Sequence, residues 1–264
     1  MKNLLIVGDP IEDIYATVKN GKTLASATLA GGASNVFSNA KSLLSNTEYS
    51  NNIFFVPQIL FTNQYLYKIL RINDQKDIHL CITENKETYY SNLKHLIQRQ
   101  LNLLIEKSSE ESTVIFSDYN KGVLNTACPR YKGLKKIKTA IVDSKYNSLH
   151  SDFFTYAENY ILRCTGKEYD PHFAKQFLYT VWTDGAKPVV LLDQKQNVLK
   201  VFEVPQIEPV DTCGAGDTFT ATLASCIHKE GFTLSNLEKA IKLSIESSLS
   251  TVIKKRTAIT NIKI

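Results

Sequence analysis

The residues best suited to chemistry lie between Pro209 and Thr222, where Gly214-Ala215-Gly216 is followed directly by Asp217. Glycines ahead of a helix let backbone N–H groups converge on one point. The helix dipole adds partial positive charge there. Such a turn suits the oxygens of a phosphoryl group in transfer. A carboxylate in the first helical turn is placed to accept a proton from an attacking hydroxyl. Phosphoryl transfer asks for little beyond that positioning, charge stabilisation and a base. On spacing alone the same residues also read as a tight strand-to-helix turn, with Asp217 as a partner for the helix dipole.

A helix over Asp217–Lys229 must carry this carboxylate, and the rest of the chain must hold that helix. Leu4–Val7 is a short apolar run ending at Gly8-Asp9-Pro10, which reads as a buried parallel strand. Tyr15–Lys19 and Leu24–Leu29 flank Asn20-Gly21 and read as a hairpin. Ala33–Leu44 and Thr88–Lys107 show helical spacing of apolar residues. Ile53–Val56, Tyr65–Ile72, Val114–Phe116 and Ala140–Val142 read as strands. Asp170-Pro171 is a helix start, and the spacing predicts a helix from there to about Thr183. Strands over Pro188–Leu192 and Val198–Val204 follow, then a last helix over Ser235–Ile253 with Ser235 as cap and Glu238 behind it. This alternation implies an α/β fold with a mostly parallel sheet covered on both faces. The early hairpin breaks the alternation and is expected to project from the sheet.

Composition narrows the function classes. The 264 residues carry a formal charge of +5 without a concentrated basic stripe, which excludes a nucleic-acid footprint. The clusters Lys132–Lys138 and Lys254–Arg256 read as solvated faces. Cys81, Cys128, Cys164, Cys213 and Cys226 form no CxxC pair. With no signal-peptide pattern at the start, they are expected to be reduced thiols in a cytoplasmic protein. No apolar run is long enough to span a bilayer, so no membrane partner is expected.

The string Asp211-Thr212-Cys213-Gly214-Ala215-Gly216-Asp217 resembles the Asp-Thr-x-Gly-Ala-Gly-Asp signature of the ribokinase-like carbohydrate kinases. Gly31-Gly32-Ala33-Ser34-Asn35 resembles that family's Gly-Gly-x-x-Asn element, and Asp13 falls where the family places a sugar-binding carboxylate. Read alone, Asp13 is a turn residue and Asn35 an ordinary helix residue. The resemblance implies a three-layer ribokinase-like sandwich over residues 1–264, one domain, with a small β lid from about 14–30 and 61–82. It implies Asp217 as the base, with Gly214, Ala215 and Gly216 around the phosphoryl group. Asp13, Gly32 and Asn35 would hold the sugar, and Thr212, Lys145 and Glu168 the nucleotide. ATP and magnesium are the implied cofactors, with Glu168 a candidate metal contact. A homodimer through the exposed lid is a further expectation.

Phe116–Leu124 is similar to the Ser-Asp-Tyr-x-Lys-Gly element of the heptose 7-phosphate kinases, the kinase half of the ADP-heptose synthesis enzyme. Asn63-Gln64, Ile69–Asn73 and Val142–Lys145 resemble further stretches of that branch. This implies heptose 7-phosphate as substrate, with Lys121 and Arg71 on its phosphate. Three departures accompany the resemblance. The Leu44–Gln58 stretch is short; Thr165 stands in place of an asparagine ahead of Glu168; and Leu192–Asn197, aligned with the nucleotide loop, lacks both glycines, Thr183-Asp184-Gly185 being a poorer match. They leave open an alternative, a weakly active or inactive sugar-binding or regulatory protein on the same fold.

Overall fold

The computed structural model describes residues 1–20, 22–56, 67–72, 76–81, 86–126, 137–145 and 154–264. In chain order the elements are β1 (Leu4–Gly8), β2 (Pro10–Lys19), β3 (Lys22–Gly32), α1 (Ala33–Leu43), β4 (Ile53–Val56), β5 (Tyr67–Ile72), β6 (Lys76–Cys81), α2 (Lys86–Lys107), β7 (Thr113–Asp118), α3 (Val123–Thr126), β8 (Ile137–Ser144), β9 (Ala157–Thr165), α4 (Pro171–Ala174), β10 (Tyr179–Thr183), β11 (Val189–Asp193), β12 (Val198–Phe202), α5 (Ala215–Glu230) and α6 (Leu234–Val252).

Eight strands form one sheet in the order β12-β11-β10-β9-β8-β7-β1-β4. Pairing is parallel from β4 through β10 and antiparallel at β10–β11 and β11–β12. Successive side chains of a strand face opposite ways, and the two cores show it directly. Leu4 and Ile6 pack with Val36, Phe219 and Leu237 of α1, α5 and α6. Leu5 and Val7 pack with Ile97, Leu101 and Ile105 of α2 on the other face. Strands buried on both faces need continuous apolar runs, which is why Leu4–Val7 carries no polar residue. The result is a three-layer α/β sandwich.

A second sheet has the order β3-β2-β5-β6. Its hairpin runs from Pro10 to Gly32, longer than the segment around Asn20-Gly21 indicates, and Asn20 takes the positive φ of 50° that such a turn needs. Strands β5 and β6 lie in the 61–82 stretch; Asn63 and Gln64 lie outside the described residues.

Two expectations are corrected and one strand is added. Asp170 does cap a helix, accepting from His172 N and Phe173 N, but α4 ends at Ala174, and Tyr179–Thr183 is strand β10. The run Tyr-Thr-Val-Trp-Thr is aromatic and β-branched, and pairing with β9 decides the conformation. Strand β9 itself is an addition to the sequence reading. The cap of α6 is Thr233, whose side chain accepts from Asn236 N, rather than Ser235.

Candidate active site

Asp217 lies in the first turn of α5, 5% exposed. Gly214 precedes the helix with φ 77°, a left-handed conformation that glycine adopts at little cost. A Cβ on Gly214 would stand 2.5 Å from Asn35 Nδ2 and 2.9 Å from Thr257 Cγ2. The turn is therefore closed against α1 on one side and the C-terminal segment on the other.

Asn35 Nδ2 donates to Asp217 Oδ2 at 3.0 Å. The amide is oriented by Asn39, which donates to Asn35 Oδ1 at 2.9 Å. Tyr119 donates to Asp217 Oδ1 in a short hydrogen bond. Burial pushes the Asp217 carboxyl up to about 6, with the Tyr119 and Asn35 hydrogen bonds and the Lys145 charge pulling the other way. Burial, and then the Asp217 charge, lift the Tyr119 phenol well above its ordinary range, so it stays a donor.

Tyr119 reaches Asp217 because Asp9 organises the loop after β7. The buried Asp9 carboxylate accepts from Tyr119 N (2.9 Å), Lys121 N (3.0 Å) and Val123 N (2.9 Å). Lys121 thus sits in the same loop as Tyr119. The sequence reading quotes Tyr119 inside the Ser-Asp-Tyr-Asn-Lys-Gly string and assigns it no role; its place between Asp118 and Lys121 was the available signal.

Lys145, just past β8, pairs with Glu168 Oε1 at 3.3 Å and Asp143 Oδ1 at 3.8 Å, and its ammonium stands 5.2 Å from the centre of the Tyr119 ring. Glu168 Oε2 accepts from Thr165 N at 2.9 Å. Burial opposes charge on Asp143, but Arg163 and Lys145 outweigh it and hold that carboxyl below its usual value. Thr220 Oγ1 adds a hydrogen bond to it at 2.7 Å.

Tyr119, Lys145, Arg163 and Gly214–Asp217 line a cavity of about 470 Å³. Val189, Val204, Ile207, Leu249 and Val252 supply apolar lining to the same cavity. Thr212 lies on its wall. Thr183 and Gly185 line it too, whereas Leu192–Asn197 joins β11 to β12 away from it. Thr183 closes a strand rather than a helix, so lying at a helix end no longer counts against the Thr183–Gly185 stretch.

Asp13 on β2 is 5% exposed, and its Oδ2 accepts from Thr257 Oγ1 at 2.8 Å. Thr257 N donates to Tyr15 Oη at 2.9 Å. Gly31 packs on the Asp13 carboxylate, since a Cβ there would lie 2.6 Å from Oδ2. Gly32 precedes α1, and Ala33 N donates to Asp9 O at 3.1 Å. Arg71 lies on β5 opposite Tyr15; its side chain lies outside the described residues. Thus Asp217, Asn35, Gly214–Gly216, Thr212, Lys145 and Glu168 form one connected group. Asp13 joins it through Thr257.

Comparison with known proteins bears on the fold and on the C-terminal part of the chain. Residues 168–263 match the pfkB family carbohydrate kinase profile. The chain is similar to a ribokinase from Thermotoga maritima (TM-score 0.67, 15% identity, 99% of this chain and 97% of that one). It is also similar to a nucleoside kinase from Methanocaldococcus jannaschii (0.62, 13%, 100% and 95%) and to a fructokinase from Vibrio cholerae bound to fructose, ADP and calcium (0.62, 10%, 99% and 96%). The fold is therefore ribokinase-like, and the C-terminal part of the chain carries the match to the pfkB carbohydrate kinases. Among curated proteins, the bifunctional protein HldE of Campylobacter jejuni is 25% identical over 281 residues, covering 85% of this chain and 56% of that protein. The chain spans just over half the length of this relative.

No helix among the described residues is long and apolar enough to cross a membrane.

Proposed function

We propose that this protein is an ATP- and magnesium-dependent kinase acting on a hydroxyl of a sugar or sugar phosphate. The observation that carries the reading is Asp217. It is a buried carboxylate raised to about 6, set directly behind a glycine turn at a helix start, on the wall of a cavity lined by both charged and apolar side chains. Asp217 takes the proton of the acceptor hydroxyl, while the Gly214–Gly216 N–H groups face the transferring phosphoryl oxygens. Asn35 and Tyr119 hold the carboxylate in place. Asp13, Gly32 and Asn35 orient the sugar. Thr212, Lys145 and Glu168 serve the nucleotide, whose base would pack on the apolar lining residues, and strands β2, β3, β5 and β6 act as the lid.

Among the described residues no group of three or more His, Cys, Asp or Glu could hold a metal ion. Both Glu168 oxygens are engaged, by Lys145 and by Thr165 N. This donor set fits magnesium carried on nucleotide phosphates, with Glu168 within reach only through water or by exchange. When bound, magnesium neutralises charge on those phosphates.

The finer reading is heptose 7-phosphate as substrate, supported by the Ser117–Gly122 string and by the likeness to HldE. Lys121 and Arg71 would hold the phosphate already present. A nucleotide-release assay with ATP, magnesium and paired free and phosphorylated sugars tests both levels. The phosphorylated sugar should be preferred by about tenfold to a hundredfold, the range of a charge-assisted contact, and Lys121→Ala should erase most of that preference. Absence of transfer to every acceptor would overturn the kinase; equal use of both forms would overturn the sugar-phosphate assignment alone.

A further inference from the structure

Arg163, on β9, is a buried cation to which the sequence reading assigns no role. Only 4% exposed, it lines the cavity beside Lys145 and Gly216. A Cβ on Gly216 would stand 3.1 Å from both of its terminal nitrogens, so the guanidinium is stacked on the glycine turn itself. The Phe219 ring lies 5.8 Å from its Cζ.

Its donors are underused. Nη1 reaches both Asp143 oxygens at 3.4 and 3.3 Å, long for a charge-assisted bond. Nη2 donates to Thr183 Oγ1 at 3.1 Å, whose own proton goes to Cys164 O. Nε is buried with no hydrogen-bond partner. A guanidinium has five N–H donors, and a buried donor left unpaired is costly. The neighbouring cation is already committed, because Lys145 pairs with Glu168 and Asp143. Of the carboxylates close by, Asp143 is shared between two cations, and Asp217 accepts from Tyr119 and Asn35.

We propose that Arg163 is a phosphate-contacting residue, which donates to the terminal phosphate of a nucleoside triphosphate held against the Gly214–Gly216 turn. This rests on the kinase reading of the cavity. The planar fork suits a tetrahedral oxyanion, and Arg163 shares the cavity wall with Lys145 and the Gly214–Gly216 turn. The helix start contributes its N–H groups to the same oxygens.

Equilibrium titration with ATP and with AMP, in magnesium, is the test. Arg163→Met keeps the stacking on Gly216 and Phe219. It should weaken ATP by about tenfold to a hundredfold and leave AMP within twofold. Since Arg163→Met strips Asp143 of its closest cation and could fail to fold, the double variant Asp143→Asn/Arg163→Met removes the pair together and should show the same selective loss. ATP binding unchanged in a folded variant, or ATP and AMP weakened alike, would overturn the Arg163 contact and leave the kinase reading in place. A wild-type protein that binds no adenine nucleotide would overturn both.

Discussion

At the scale of single residues, the proposed role of Asp217 as base makes its environment decide when it can act. A general base must be ionised, so a carboxyl raised to about 6 by burial gives an activity that climbs with pH through that value and levels above it. The acidic limb of kcat/KM for the free enzyme should therefore lie near 6. The Tyr119 hydrogen bond pulls that value down, so Tyr119→Phe should move the limb to higher pH. Asp217→Asn should bind nucleotide and sugar yet lose at least about a hundredfold in kcat. Steady-state kinetics across pH 5 to 9 check all three. Turnover close to wild type in Asp217→Asn would remove Asp217 as the base.

At the scale of elements, helix α5 has a glycine with positive φ just outside each end, Gly214 left-handed at φ 77° and ψ 0°, Gly231 extended at φ 82° and ψ 163°. Their surroundings differ. A Cβ on Gly214 would collide with Asn35 Nδ2 at 2.5 Å, while one on Gly231 would meet nothing within 4 Å. Alanine at Gly214 carries the backbone cost of a left-handed residue, on the order of 1 kcal/mol, and at Gly231 that of a glycine-only conformation, about 1–3 kcal/mol. Gly231→Ala should therefore lower the melting temperature by a few degrees and leave turnover unchanged. Gly214→Ala should lower stability further and cut kcat by more than about tenfold, because Asn35 must leave Asp217. Equal kinetics in the two variants would show that the Gly214 turn plays no part in holding the site.

At the scale of the whole molecule, His228 gives the fold an acid-sensitive point. Its ring is fully buried beside Tyr49, and neither nitrogen finds a hydrogen-bond partner. Burial, with the Lys2 charge adding to it, depresses its pKa to about 3. Below about 6.5 the unfolded chain takes up a proton that the folded one refuses. Stability contributed above that pH then falls by roughly 1.4 kcal/mol per unit until about pH 3. Asp9 and Asp217 act in the opposite sense: both are raised to about 6, so the folded state takes their protons first. The clean measure is the difference between His228→Leu and wild type in urea unfolding. That difference should move in favour of the variant as pH falls from 7 to 4, and a constant difference would mean that His228 is not held neutral.

The sequence by itself determined the α/β class and the core of the site, because both depend on local pattern. Leu4–Val7 must be a strand buried on both faces, and Gly214-Ala215-Gly216-Asp217 is a turn and a carboxylate made by adjacent residues. Asn35 and Lys145 were legible as candidates through the motifs around them. Where local signals compete, the sequence misled: Asp170 is a true cap, yet parallel pairing with β9 turned Tyr179–Thr183 into a strand. Only the tertiary structure decided the contacts that span the chain. Tyr119 meets Asp217 across 98 positions, and Thr257 meets Asp13 across 244. The stacking of Arg163 on Gly216 and the raised pKa of Asp217 depend on how layers pack and on what water is excluded. No spacing in the chain encodes those, since burial and charge proximity are properties of the assembled sheets and helices.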